Sequence, residues 1–223
     1  MFTFLPITLL LYYVSPRVLK NSILLLASLI FYAWGEPIYV FLMIGTILID
    51  YLLAILIDRN RDDYSKCKWI FILTIILNVS ILGFFKYFGF FVDNINSIFH
   101  LNIPFEGLAL PIGISFYTFQ VLSYIVDVYL GKVEVQYNII NFAAYVTMFP
   151  QLVAGPIVQY QTIEDQLNTR QESIVKFGEG VERFIQGLGK KVLLANNIGM
   201  LWTTVSAMDT SSISVLTAWL GII

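Results

Sequence analysis

The stretch IYVFLMIGTILIDYLLAILI, residues 38–57, carries a single charged residue, Asp50, in a run of apolar side chains. An α-helix needs about 20 predominantly apolar residues to cross the hydrocarbon core of a bilayer, and this run has that length. Such a run suits a lipid environment because a charged side chain is costly at that depth. The stretch therefore predicts a helix that crosses a membrane.

The composition of the whole chain agrees with a lipid environment. Of the 223 residues, 58% are hydrophobic and 13% are charged, whereas soluble domains carry about 25% charged residues. The net charge of -2 provides no electrostatic basis for binding nucleic acid. We predict an all-α fold and a polytopic integral membrane protein in the lipid bilayer. Its multi-helix bundle is expected to include re-entrant or broken helices and interfacial helices, in one transmembrane domain over residues 1–223.

Further apolar blocks are separated by polar stretches or by stretches that contain Gly and Pro. The pattern predicts helical segments at 1–14, 22–33, 69–91, 108–130 and 139–158. The segment at 58–68 is rich in charge and is expected to be an aqueous loop. Pro111 is expected in the first turn of the fifth helix, where the missing N–H of proline has no intrahelical partner to lose.

Basic residues occur in alternate connections between these blocks. The connections that follow residues 14, 57 and 130 contain Lys or Arg, whereas those at 34–37 and 92–107 contain neither. Cytoplasmic connections of membrane proteins carry the excess of Lys and Arg. We therefore expect an N-terminus outside the cytoplasm and five crossings by residue 130.

The block at 139–158 does not fit a simple crossing. It is interrupted by Pro150, Gly155 and Pro156, and basic residues, among them Lys132 and Arg170, lie on both sides of it. Irregular backbone at membrane depth occurs where it is buried in protein or lines a cavity. We expect a re-entrant or broken segment here, and a plain span with an unusual charge balance is the alternative.

Two segments near the end of the chain differ from the spanning blocks. Apolar residues recur at helical spacing over 174–193, with charged residues on the other face. This predicts an amphipathic helix that lies at the cytoplasmic surface or packs on neighbouring protein. The final apolar run, 211–223, is too short to cross a membrane. We expect the chain to be the N-terminal part of a longer protein; an early stop or an incomplete reading frame would give the same pattern.

Ionisable residues inside the apolar blocks are the first candidates for chemistry, because charge is costly there. Asp50 and Asp127 fit equally well a buried partner that fixes helix packing and a functional role. Lys86 is expected to extend its ammonium group to the outer interface. His100 and Cys67 are the only residues of their types, which predicts neither a metal site nor a catalytic triad nor an internal disulfide. The residues predict no catalytic group within this chain.

Four motifs carry a resemblance to a known family. They are LIFYAWGEP at 29–37, LPIGISFYTFQ followed by SYIVDVY within 110–129, FPQLVAGPIV at 149–158, and GLGKKVLLAN at 187–196. In order and spacing they resemble the motifs of bacterial membrane-bound O-acyltransferases over essentially the whole chain. The most similar branch is the alginate O-acetyltransferase type, and the D-alanyl transferases of teichoic acids are more distant.

The resemblance implies transfer of an acyl group, usually acetyl, to hydroxyls of an extracytoplasmic polysaccharide such as alginate. It implies a multi-pass protein of the bacterial cytoplasmic membrane with an acyl donor, acetyl-CoA or a carrier-protein thioester, and no bound cofactor. It also admits a periplasmic or surface acetyltransferase partner. The catalytic histidine of the family lies beyond residue 223, in a tryptophan- and arginine-rich stretch, and His100 does not match it.

Gln120, Asp127 and Gln151 are the candidates to line a substrate tunnel in such an enzyme. The two glutamines could offer hydrogen bonds to an acyl carbonyl. Interhelical hydrogen bonds within the bundle are the alternative role for both amides.

Two other functions fit the same residues. One is a polytopic transporter or flippase of cell-envelope precursors, since such proteins also contain broken helices at the membrane midplane. Those folds often show an internal repeat, and this sequence shows none. The other is an inactive fragment. A continuation past residue 223 without a histidine in an apolar stretch flanked by Trp and Arg would contradict the acyltransferase hypothesis.

Overall fold

Helices make up the regular structure of the chain. The computed structural model describes residues 3–101, 103–104, 109–152, 155–170, 172–208 and 214–222, and these contain helices and no strand. The α-helices are α1 (Phe4–Val14), α2 (Lys20–Gly35), α3 (Tyr39–Arg59), α4 (Tyr64–Phe99), α5 (Ile114–Tyr129), α6 (Ile139–Thr147), α7 (Phe149–Leu152), α8 (Tyr160–Thr169), α9 (Ile174–Gly189), α10 (Asn196–Ser206) and α11 (Val215–Ile222). The all-α fold predicted from the sequence is confirmed.

Three helical stretches among the described residues are long and apolar enough to cross a membrane. They are Arg17–Gly35, which joins a 3₁₀ turn to α2, Tyr39–Arg59 and Tyr64–Phe99. The protein is therefore a polytopic membrane protein, as predicted. Helix α1 has 11 residues and α5 has 16, fewer than the roughly 20 that an untilted crossing takes. The five crossings and the external N-terminus stay predictions.

Several predicted bounds fall where the structure describes no residue. Met1, Leu108, Ser211 and Ile223, each a bound of a predicted apolar block, lie outside the described residues. Within the described part of the final run, α11 has 8 residues.

Helix α4 is longer than the sequence predicts. The structure extends it over Tyr64–Phe99, 36 residues, so the predicted start at Trp69 and the predicted end near Phe91 are both wrong. The Asp63 carboxylate accepts a hydrogen bond from the backbone N–H of Lys66 at 3.1 Å and also pairs with its ammonium group. This cap satisfies a donor of the first turn. The helix can therefore begin within the charged segment, ahead of its apolar part.

The start of α5 also differs from the prediction. Pro111 does not lie in the first turn, because the helix begins at Ile114 and Pro111 belongs to the turn before it, where its carbonyl accepts a hydrogen bond from Ile114 N at 3.2 Å. Gly113, between them, has a φ of 76°. This left-handed conformation interrupts the helical path, so the helix cannot extend back to the proline.

The chain forms two compact units, Met1–Arg170 and Gln171–Ile223. In the first, α3 packs against α4, α5 and α6, and α2 packs against α1, α6 and α7. The core between these helices is formed by buried side chains, among them Met43, Ile47, Ile57, Ile114, Tyr124, Ile125, Val128, Phe142, Tyr145 and Val146. One transmembrane domain over residues 1–223 stays a prediction.

The second unit contains α9, α10 and α11. The amphipathic helix predicted at 174–193 is confirmed as a helix: α9 covers Ile174–Gly189, and a π-helical turn, Lys190–Ala195, continues into α10. No residue of α9 is buried. Its location at the cytoplasmic membrane surface stays a prediction.

Candidate functional site

The segment predicted to be broken is broken in the structure. Helix α6 ends at Thr147 and α7 begins at Phe149. Pro150 has no N–H to donate to α6, and the Phe149 N–H donates to Ser28 Oγ of α2 at 3.1 Å. The last turn of α6 therefore keeps backbone carbonyls without intrahelical partners. The re-entrant path of this segment stays a prediction.

Two of the three candidate tunnel residues meet at the break. The Gln120 amide on α5 donates to the Tyr145 carbonyl at 2.8 Å, and the Gln151 amide on α7 donates to the same carbonyl at 3.0 Å. Tyr145 lies in the last turn of α6, so the two side chains take the place of the N–H donors that the break removes. The interhelical hydrogen bonds named as the alternative role are thus present. Gln120 is buried and Gln151 is half-buried.

Asp127 is not part of this cluster. It follows Gln120 by seven residues along α5, which places it about 10 Å further along the helix axis. Its carboxylate lies 3.9 Å from Lys132 Nζ, with 14% of the Asp127 side chain exposed. The structure therefore gives Asp127 a charged partner near the end of α5 and separates it from the two glutamines.

Three tyrosines surround the buried side of the break. The Tyr160 ring lies edge-on to the Tyr124 and Tyr145 rings, at centroid distances of 4.9 and 5.2 Å. The Gln136 backbone N–H donates to Tyr124 Oη, and the Gln136 amide donates to Tyr160 Oη, each at 2.8 Å. Burial raises the pKa of the Tyr160 phenol to about 12, so this phenol is neutral at physiological pH. The sequence contained no signal that would select these three among 13 tyrosines.

A second polar cluster joins four helices at the N-terminal end of α2. Asn21 donates to Asn141 Oδ1 at 2.7 Å, and Asn141 donates to Asn168 Oδ1 at 3.2 Å. The Arg170 guanidinium donates to Asn21 Oδ1 and to Tyr12 Oη. Sequence analysis missed this cluster because its members are separated by up to 158 residues and none stands out locally.

The structure also places the other ionisable candidates. Asp50 is buried and accepts a hydrogen bond from the Asn78 amide at 2.6 Å, so it has the buried partner that the sequence suggested. Lys86 is exposed, with its ammonium group 5.5 Å from the centroid of the Tyr87 ring. His100 ends α4 in a left-handed conformation with a φ of 53°.

The part of the chain that the structure describes contains no cluster of side chains suited to bind a metal ion. No group of three or more His, Cys, Asp or Glu side chains comes together there. Cys67 is buried, and its thiol donates a weak hydrogen bond to the Ile57 carbonyl at 3.7 Å. This contact gives the thiol a structural partner within the α3–α4 pair.

The N-terminus of α6 yields a stability prediction. The Asn138 side chain caps this helix by accepting hydrogen bonds from Ile140 N at 2.9 Å and Asn141 N at 3.3 Å. Replacing Asn138 by Ala leaves both donors without this acceptor. We expect the free energy of unfolding to fall by about 1 kcal/mol, measured by chemical denaturation in detergent. Asn138→Asp restores an acceptor and should recover most of the loss; equal stability of the Ala variant and the wild type would contradict this role.

The sequence of this chain matches a family model and several known proteins. Residues 132–218 match the model of MBOAT, the membrane-bound O-acyltransferase family. A probable alginate O-acetylase AlgI of Pseudomonas aeruginosa is 39% identical over 226 residues, covering 99% of this chain and 43% of the relative. The probable alginate O-acetylase AlgI of Azotobacter vinelandii is 38% identical, with 99% and 45% covered. A peptidoglycan O-acetyltransferase of Helicobacter pylori is 32% identical over 251 residues, with 98% and 47% covered.

The chain spans less than half the length of these relatives. No solved structure gives a significant match to it. The family match covers the broken segment, Tyr145, Tyr160 and most of the second compact unit, and the alignments to relatives extend over nearly all remaining residues. The membrane helices, the broken segment and these matches agree that the chain belongs to the membrane-bound O-acyltransferase family.

Proposed function

We propose that the chain is part of a membrane-bound O-acetyltransferase that esterifies hydroxyl groups of an extracytoplasmic polysaccharide such as alginate. The observation that carries the proposal is the alignment of 99% of this chain with a probable alginate O-acetylase at 39% identity. The match to the O-acyltransferase family over residues 132–218 supports the same chemistry. The peptidoglycan O-acetyltransferase among the relatives supports a carbohydrate acceptor without specifying which one.

The proposed reaction transfers an acetyl group from an activated donor, acetyl-CoA or a carrier-protein thioester. The acceptor hydroxyl oxygen bonds to the carbonyl carbon, and the carbon–sulfur bond breaks. A general base takes the hydroxyl proton, and the leaving thiolate takes up a proton in turn. The family resemblance assigns the base to a histidine beyond residue 223, so residues 1–223 are proposed to shape the path rather than to supply the base.

The break between α6 and α7 is the part of this chain that we propose to line that path. Gln120 and Gln151 each use one amide N–H on the Tyr145 carbonyl. A glutamine amide has two N–H donors, so the second donor of the half-buried Gln151 is suited to an acyl carbonyl. Asp127, near the C-terminal end of α5, is proposed to lie further along the same tunnel.

The proposed setting is the bacterial cytoplasmic membrane with the N-terminus outside. The distribution of Lys and Arg supports this orientation, and the extracytoplasmic acceptor requires a path from one side to the other. We further propose that α9 lies along the cytoplasmic surface and that a periplasmic or surface acetyltransferase receives or passes on the acetyl group.

A hybrid protein tests the proposed function. Residues 1–223 would replace the aligned segment of the Pseudomonas aeruginosa relative in a strain that lacks that relative, and the acetyl content of the secreted alginate would be measured. We expect the hybrid to restore acetyl esters, because the two aligned segments should form the same part of the tunnel. The 223-residue chain expressed alone is the matched control and should restore none.

Membrane insertion of both proteins would be verified by a fluorescent fusion. A hybrid that inserts at the level of the intact relative and leaves the alginate unacetylated would contradict the proposal. Acetylation by the 223-residue chain alone would contradict the assignment of the general base to a later segment.

A further inference from the structure

A carboxyl group is buried near the middle of the spanning helix α3. Asp50 lies eleven residues after the start of α3 and nine before its end, which places it about 15 Å from either end of the helix. Its exposed fraction is 1%. Its depth in the helix separates this carboxyl from the water on either side of the membrane, and its burial separates it from lipid.

The polar surroundings of Asp50 are incomplete. The Asn78 amide on α4 donates to Asp50 Oδ1 at 2.6 Å and to the Thr74 carbonyl at 3.1 Å. The second carboxyl oxygen, Oδ2, is buried and has no hydrogen-bond partner in the described part of the chain. Asn78 thus fixes one oxygen of the carboxyl, and the other remains without a protein partner.

No charge balances this carboxyl among the residues that the structure describes. The ion pairs within that part of the chain do not include Asp50, and its hydrogen-bond partner there is the neutral amide of Asn78. The helices packed against α3 are α2, α4, α5 and α6. The titratable side chains buried on those helices are the phenols of Tyr32, Tyr117, Tyr124 and Tyr145, the Cys67 thiol and the Lys20 ammonium group. Lys20 is the first residue of α2, and its ammonium group lies 4.8 Å from the centroid of the Tyr12 ring.

The protonation state follows from the relative cost of the two forms. An ionised carboxylate without a countercharge is far more costly in an apolar interior than a neutral polar group with one unmade hydrogen bond. The depth of Asp50 in the spanning helix increases that difference. The neutral acid is therefore the favoured form, with Oδ1 as the carbonyl oxygen that accepts from Asn78 and Oδ2 as the hydroxyl.

We propose that Asp50 is a proton-binding site inside the α3–α4 helix pair and a modification site for hydrophobic carbodiimides. The carboxyl holds its proton at neutral pH and is oriented by Asn78. A carbodiimide reacts with this form: its nitrogen takes the proton, the carboxyl oxygen bonds to its central carbon, and the O-acylisourea rearranges to a stable N-acylurea. The reaction is an addition, so no group leaves and no further reagent is needed.

Infrared spectroscopy of the 223-residue chain in lipid vesicles tests the proton site. We expect the carbonyl band of a protonated carboxylic acid at neutral pH, shifted on exchange into D₂O. The band should be absent from Asp50→Asn and present in the matched control Asp127→Asn, whose carboxyl is paired with Lys132. Asp50→Asn is nearly isosteric with the neutral acid, so its thermal unfolding should match that of the wild type. Absence of the band from the wild type, or its persistence in Asp50→Asn, would overturn the proton site.

Labelling of the wild-type chain provides a test that depends on no variant. Dicyclohexylcarbodiimide, which partitions into lipid, should modify the peptide that contains Asp50, as detected by mass spectrometry. A water-soluble carbodiimide should not modify it, and labelling should slow as the pH is raised. An unmodified Asp50 would overturn the reactivity of the site. Protection by sodium chloride but not by choline chloride would overturn the proton as its ligand in favour of a metal cation.

Discussion

Replacing Gly113 by Ala is expected to destabilise the first compact unit by about 3 kcal/mol. Gly113 has a φ of 76°, a conformation that costs a residue with a side chain about 1–3 kcal/mol. A Cβ atom built there would lie 2.7 Å from the Leu152 carbonyl oxygen, so backbone as well as side chain must move. The expected displacement separates the start of α5 from α7. Chemical denaturation of the purified chain in detergent would measure the loss.

Gly83→Ala is the matched control for this substitution. Gly83 lies inside α4, and a Cβ atom added there would meet nothing within 4 Å. Alanine is favoured over glycine in a helix by up to about 1 kcal/mol, so this variant should be as stable as the wild type or more stable. Equal stability of Gly113→Ala and Gly83→Ala would contradict the strain and the close contact that we assign to Gly113.

The spanning helices could be predicted closely where apolar sequence and helix coincide. The run at 38–57 predicted a helix that the structure places at Tyr39–Arg59, because Gly and Pro precede the run and a charged segment follows it. Helix α4 could not be bounded in this way. The length of an apolar run matches the thickness of the hydrocarbon core. A helix can continue beyond that run where its polar side chains find hydrogen-bond partners. Asn94 of α4, for example, donates to the Phe90 carbonyl at 2.6 Å within the helix.

The candidate site could be predicted in part. Pro150, Gly155 and Pro156 predicted the break. Gln120 and Gln151 were selected because they lie in motifs that resemble the family and because their amides could donate to an acyl carbonyl. That both amides donate to one carbonyl could not be predicted, because the meeting depends on how α5 approaches the end of α6. The local sequence of either segment does not determine how the two helices approach each other. Asp127 was selected as an ionisable residue within an apolar block, and the structure places its carboxylate 3.9 Å from Lys132 Nζ. Its role in a tunnel stays a prediction.

Replacing both Gln120 and Gln151 by Leu is expected to cost more than the sum of the single replacements. The Tyr145 carbonyl accepts from both amides, so either single variant leaves it one partner. We expect each to lower the free energy of unfolding by about 1 kcal/mol, the usual size of a hydrogen bond between membrane helices. The double variant leaves a buried carbonyl at the end of α6 with neither donor. We expect a total loss of about 3–4 kcal/mol.

A double-mutant cycle by chemical denaturation in detergent would measure this coupling, with Gln161→Leu as the matched control. Gln161 is exposed on α8, so its replacement should change stability by less than about 0.5 kcal/mol. Strictly additive losses would show that the two amides do not share the Tyr145 carbonyl.

In the hybrid with the Pseudomonas aeruginosa relative, a purely structural role predicts that Gln151→Leu lowers acetylation only as far as it lowers the amount of folded protein. A larger loss of acetylation per folded molecule is expected if the second N–H of Gln151 contacts the acyl group, since that contact acts on the reaction and leaves folding unchanged.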